Sequence, residues 1–164
     1  MMFSKFSYAI VGVALCAAPV LAQQAQTGIR NAADEAKRAA RLFQEMKLDA
    51  QRIDMHAMQM EKLAQDPKTS WAQFDQEWNE IKPAQEMLNA RLWSLDEMRA
   101  SLSPAQRTAV DQTKQAAGVI AARTKQLNKL IDQPGAQLAS PRVRSYAQSL
   151  AKNATTVAHA ATGV

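Results

Sequence analysis

The stretch from Ile29 to Ala64 constrains this chain more than any other. Taken alternately three and four residues apart, Ile29, Ala32, Ala36, Ala39, Phe43, Met46, Ala50, Ile53, Ala57, Met60 and Ala64 are all apolar. A mean spacing of about 3.5 residues makes them one continuous seam along an α-helix. Charged residues fill the flanks, and no Gly or Pro interrupts the run before Pro67. A helix of about 36 residues is roughly 54 Å long, too long and too one-sided to stand alone in water. The rest of the chain, or a second copy of it, must cover the seam. Six of the eleven seam positions are Ala. Ala lets helix backbones approach closely, but each residue buries little area at about 25 cal/mol per Å². Its high helix propensity offsets part of that deficit.

The chain has 164 residues, the size of one domain. Gly and aromatic residues are scarce and no window alternates as a strand would, so the chain reads as all-α. Residues 1–22 read as a signal peptide. Lys5 supplies the basic region, Tyr8 to Val20 the apolar region, and Val20 and Ala22 the small residues before cleavage at Gln23. The apolar run is shorter than the roughly 20 residues that span a bilayer. The expected product is periplasmic or secreted, with no membrane span after signal removal. Cys16 is the only cysteine and would leave with the leader. Leu15 before it is not the small residue a lipidation site wants. The mature chain therefore has no disulfide to hold it together.

Residues 23–27 read as a disordered N-terminus, and the first helix is expected over roughly 28–65. Asp66-Pro67 ends it, because Pro67 cannot continue the ladder and biases Asp66 away from helix. Ser70 with Gln73 makes a capping box for a second helix over 70–102. Its apolar stripe runs Trp71, Phe74, Trp78, Ile81, Ala84, Leu88, Leu92, Leu95, Met98 and Leu102, with a kink expected near Pro83. Ser103-Pro104 with Gln106 starts a third helix over 104–132, facing inward through Val110, Thr113, Ala117, Ile120, Thr124, Leu127 and Ile131. Pro134-Gly135 ends it. Ser140-Pro141 starts a fourth over 141–161, with Val143, Tyr146, Leu150, Ala154, Val157 and Ala161 on one side. Residues 162–164 are a frayed tail. Short connections make sequential helices antiparallel neighbours, so 28–161 reads as a single antiparallel bundle of about four helices.

Charge is uneven. Gln23 to Ser103 holds eleven Lys and Arg against thirteen Asp and Glu, whereas Pro104 to Val164 holds eight against two. The basic residues form no block, so nucleic acid is not an expected partner. A protein partner, self-association or contact with a membrane surface stays open.

The sharpest local oddity is Met55-His56-Ala57-Met58-Gln59-Met60. Thioether and imidazole groups are ligands for Cu(I), and helical spacing pairs His56 with Met60 and Met55 with Met58. Met55, His56, Met58 and Met60 are thus candidate metal ligands, although methionines at this spacing more often fill a core, as expected of Met46, Met87 and Met98. No catalytic residue and no cofactor is expected. The mature chain has two histidines, no Cys and no nucleophile-elbow, zincin or phosphate-loop motif. Trp71 and Trp78, seven apart, share a face and should cap one end of the bundle. Trp93 lies off the stripe; core packing is the expectation, and exposure or a partner interface the alternative.

The residues Trp71, Ile81-Lys82, Leu92 with Leu95, Ser103-Pro104 with Gln106, Ala109-Val110-Asp111, Leu127-Asn128 and Tyr146 resemble those of uncharacterised exported all-helical bacterial proteins. That resemblance implies export and a helical fold. Leu102 to Arg107 also resembles the L-T-x-x-Q motif of Spy/CpxP-like periplasmic chaperones. Ser103 replaces the Thr, and the second copy that the family carries is not found. A helix start accounts for the same residues. The expectation is therefore an exported, non-enzymatic helical protein that works by interaction with a protein or envelope surface, chaperone-like in character. The alternative is a bundle that binds a metal or small ligand through Met55–Met60.

Overall fold

The computed structural model describes residues 18–133 and 137–164, with side chains described from Asn31 onward. Most of the leader and the Pro134-Gly135 terminator lie outside the described residues. The described residues form four helices, α1 (Ala18–Leu63), α2 (Trp71–Glu97), α3 (Pro104–Ile131) and α4 (Pro141–Thr162), and contain no strand. The chain divides into two units, Met1–Asp34 and Glu35–Val164. In the first, the helix begins at Ala18 and so takes in Gln23–Thr27, where the sequence predicts disorder. Gln and Ala are good helix formers, and Gly28 costs only about 1 kcal/mol.

The second unit is the bundle. Cross-helix pairs set its direction: Glu45 meets Arg91, Arg52 meets Glu80 and His56 meets Glu77, so α1 and α2 are antiparallel. Asp96 with Lys114 and Arg99 with Asp111 join α2 to α3. Arg123 reaches Ser149 on α4, and Gln148 returns to Glu61 on α1. The helices therefore form an antiparallel ring in chain order.

The α1 seam is buried from Ala39 through Phe43, Met46, Ala50, Ile53, Ala57, Met60 and Ala64. The side chain of Ile29 lies outside the described residues, Ala32 and Ala36 are exposed, and among the described seam positions those from Ala39 on are covered. The reason is length. Ala39 to Ala64 spans about 38 Å at 1.5 Å per residue, the reach of the 27 residues of α2 and the 28 of α3.

Each later helix starts as its cap residues dictate. The Ser70 and Ser103 hydroxyls accept from the Gln73 and Gln106 amides at 3.3 and 3.2 Å. Both Gln side chains return the bond to the cap amide at 3.0 Å. Ser140 accepts from the Val143 amide at 3.3 Å. At the end of α1 the Leu63 carbonyl, past the reach of the helix ladder, accepts from the Asp66 amide at 3.2 Å and from the Thr69 hydroxyl at 2.6 Å.

Several boundaries and positions differ from expectation. α2 ends at Glu97, not near residue 102, because Ser103 must be extended (φ −62°, ψ 160°) to cap α3 ahead of Pro104. Leu102 is still buried, from the turn rather than from a helix. α2 is a single helix through Pro83. Pro83 and Asn79 are both exposed, so the carbonyl that loses its amide partner faces water. Trp78 is buried, but Trp71 is 44% exposed, among the Pro67–Thr69 and Gln137–Ala139 connections at the end of the bundle, and Trp93 is exposed rather than in the core because its neighbours Leu92 and Leu95 take the inward positions. Met87 is exposed because Ala84 and Leu88 take the inward positions around it, whereas Met46 is in the core and Met98 packs against it. Thr124 and Ile131 are half-buried, with Ala109 and Ala116 in the core instead. Tyr146 is also half-buried, with the guanidinium carbons of Arg123 and Arg142 at 5.5 and 5.9 Å from its ring centroid.

Ala50 and Ile53 are both fully buried. Ala50→Leu should overpack a close helix contact and lower stability by about 1–3 kcal/mol. Ile53→Ala should cost about 2–5 kcal/mol. Chemical denaturation of both variants at two protein concentrations a hundredfold apart checks this, with losses independent of concentration expected. In contrast, Pro83→Ala should raise the melting temperature. It restores one amide donor in a helix where an interior Pro costs about 3 kcal/mol, less about 0.4–1 kcal/mol for the freer unfolded chain.

Candidate functional site

The helix geometry separates the Met55–Met60 segment. Met60 is fully buried in the seam. His56 sits on the flank that faces α2, where its Nδ1 lies 2.6 Å from Glu77 Oε2, with both side chains more than four-fifths buried. Met55 and Met58 point outward at 59% and 49% exposure. The four candidate ligands are thus brought together only as the exposed pair Met55 and Met58. Among the described residues no three His, Cys, Asp or Glu side chains gather as a metal site.

The outward pair belongs to a longer face. Arg41, Gln44, Leu48, Gln51, Met55, Met58, Lys62 and Gln65 recur at three- and four-residue steps on the side of α1 opposite the seam, and all are exposed. No carboxylate lies on this face. The acidic residues of the bundle portion of α1 beyond Glu35 occupy its flanks: Glu45 and Asp49 pair with α2, while Asp54 and Glu61 turn to α4. Leu48, Met55 and Met58 give the face an apolar centre, with Arg41 and Lys62 near its ends. Periodicity picked out the inward seam and passed over this stripe. Its signal was the run of uncharged residues at the positions farthest from the seam.

The flank toward α2 is a ladder of charges. Arg91, 16% exposed, bridges Glu45 at 3.1 Å through Nε and Asp49 through Nη1. Arg52 meets Glu80 at 2.5 Å. Arg91 holds the Glu45 carboxyl below its ordinary pKa, aided by Arg41. Burial pushes the Asp49 carboxyl up, outweighing its attraction to Arg91. At the α2–α3 turn, Lys114 lowers Asp96, and Arg99, bound to both Asp111 oxygens at 2.8 Å, lowers Asp111.

No known family model matches the chain, and no curated protein or solved structure does either.

The pKa directions fix a pH response. Glu45, Asp96 and Asp111 are lowered by folding, so their stabilisation is present above the unfolded carboxylate range of about pH 4 and is lost as pH falls through their folded values. Asp49 is raised, so its contribution has the opposite sign and is recovered on acidification. Denaturation midpoints measured at about pH 7 and pH 3 should fall with acid. Asp111→Asn should narrow that difference, and Asp49→Asn should widen it.

Proposed function

We propose that the protein is exported and acts by binding rather than catalysis, its α1 outer face holding apolar segments of a partner polypeptide in a chaperone-like manner. The observation that carries this reading is the exposed row of Leu48, Met55 and Met58 on a face without carboxylates. Exposed apolar surface of this kind marks interaction sites. Methionine, unbranched and polarizable, adapts to irregular apolar partners. The row spans about 15 Å at 1.5 Å per residue, enough for two or three turns of a partner helix. Folding does not need these side chains, since the seam on the other side of α1 makes the bundle.

Export is supported by the leader pattern of Met1 to Ala22, and among the described residues no helix is long and apolar enough to cross a membrane. The mass of the secreted product should begin at Gln23, and a product that keeps Met1 would contradict export with cleavage.

The binding test uses a triple variant, Leu48→Gln, Met55→Gln and Met58→Gln. All three residues are exposed, so its melting should match that of the parent. The parent should suppress light scattering by a thermally unfolded reporter enzyme at near-equal molar ratio, and the triple variant should not. A parent without effect, or a variant as active as the parent, overturns the reading.

A further inference from the structure

A second feature lies on a different face, between α2 and α3. A groove of about 450 Å³ opens there, with Trp78, Lys82 and Glu86 on one wall and Lys125, Asn128 and Lys129 on the other. Trp78 is 1% exposed, and its Nε1–H is closed off from solvent with no hydrogen-bond partner. Indole is a donor only, and a buried donor without an acceptor costs about 1–3 kcal/mol. Lys82 Nζ lies over the same indole, 5.2 Å from the ring centroid. Across the groove Lys125 and Lys129 stand one helical turn apart, a repulsive spacing for like charges.

The balance of groups is one-sided. Among the described residues none of these three lysines has a carboxylate within ion-pair distance; the one lysine so paired is Lys114. Glu86 is the single acid on the walls, which leaves a net positive groove. The Asn128 amide is turned to Asp132 at 3.0 Å. The walls thus offer three ammonium groups and an unused N–H where acceptors are few. The indole of Trp78 packs in the core, but the lysines set neither packing nor helix direction, since Asp96, Arg99, Asp111 and Lys114 already join the two helices at their turn.

We propose that this groove binds a small organic anion bearing two or more carboxylate or phosphate groups. Lys82, Lys125 and Lys129 carry the charge complementarity. When the flexible Lys82 stem swings off the indole, the Trp78 N–H supplies the directional donor. The groove volume falls within the range of small-molecule sites, and hydrogen bonds to charged groups are the strong ones. The site is independent of the α1 outer face, and its test does not depend on that surface.

The test uses the full mature chain with Trp71→Phe and Trp93→Phe, both exposed positions, so that Trp78 is the only tryptophan. Citrate and inorganic pyrophosphate are titrated separately, against sodium chloride at matched ionic strength. Each probe tells whether carboxylate or phosphate is preferred. The expected result is a saturable change in Trp78 fluorescence and a rise in melting temperature with at least one probe, neither reproduced by chloride. Lys125→Gln with Lys129→Gln, both exposed and so tolerated by the fold, should weaken that probe by at least about tenfold, the equivalent of one charge-assisted hydrogen bond. Trp78→Phe should reduce the anion-dependent rise in melting temperature. No saturable response to either probe, a response equalled by chloride, or lysine variants that titrate like the parent would each overturn the proposal.

Discussion

Eight side chains of α1, from Ala39 to Ala64, must be kept from water by three shorter helices, and nearly everything else in the bundle follows from how that is done. Four of the eight are Ala and fully or almost fully buried. The backbones around them must therefore come close, since an Ala leaves no room to be reached from a distance. Opposite the Ala positions the bulk comes from the facing helices, through Phe74, Trp78, Ile81, Leu88, Leu95, Ile120, Leu127 and Leu150. The Ala positions of α1, set between its own Phe43, Met46, Ile53 and Met60, interlock with large side chains of the facing helices as a dense core requires.

Burial of a seam does not by itself say which helix lies on which side of it. The flanks do that. α1 carries Glu45, Asp49, Arg52 and His56 toward α2, where Arg91, Glu80 and Glu77 answer them, whereas its other flank meets α4 only through Glu61 with Gln148 and Asp54 with Thr155. An exposed ion pair such as Arg52 with Glu80 stabilises by about 0–1 kcal/mol. The ladder's value is in direction and order: a reversed α2, or an exchange of α2 and α4, would set acids against acids.

Helix number, the all-α class, both S-x-x-Q caps and the buried half of α1 were legible in the sequence, because capping chemistry and 3.5-residue spacing are local. What was not legible depends on neighbours. Met87 is expected in the core as a gap-filler like Met46, yet it sits between Ala84 and Leu88, which take the inward positions, and it faces out. Trp71 continues its stripe by spacing, yet it lies where the stripe runs past the end of the core. His56 looked like a ligand beside three methionines, until the partner on the adjacent helix turned out to be Glu77. The groove at Trp78 was hidden for the same reason: Lys82 and Lys125 are far apart in the chain and meet only because α2 and α3 run antiparallel.

An even number of alternating helices has a topological corollary. α4 runs antiparallel to α1, with Gln148 at Glu61 and Thr155 at Asp54, so its last turn near Thr162 comes level with about Lys47, and α1 continues roughly 18 Å beyond it to Glu35. Such a fold is indifferent to where its polypeptide is cut, provided that the ring of neighbours is kept. Joining those two ends with a flexible linker and opening the Asp66–Thr69 connection would give a circular permutant with the same four contacts between helices. Exposed connections tolerate such reordering best. The same arrangement, with both ends on one side of the bundle, would let it be inserted whole into a surface loop of another protein through a linker, or be repeated in tandem, without disturbing the seam.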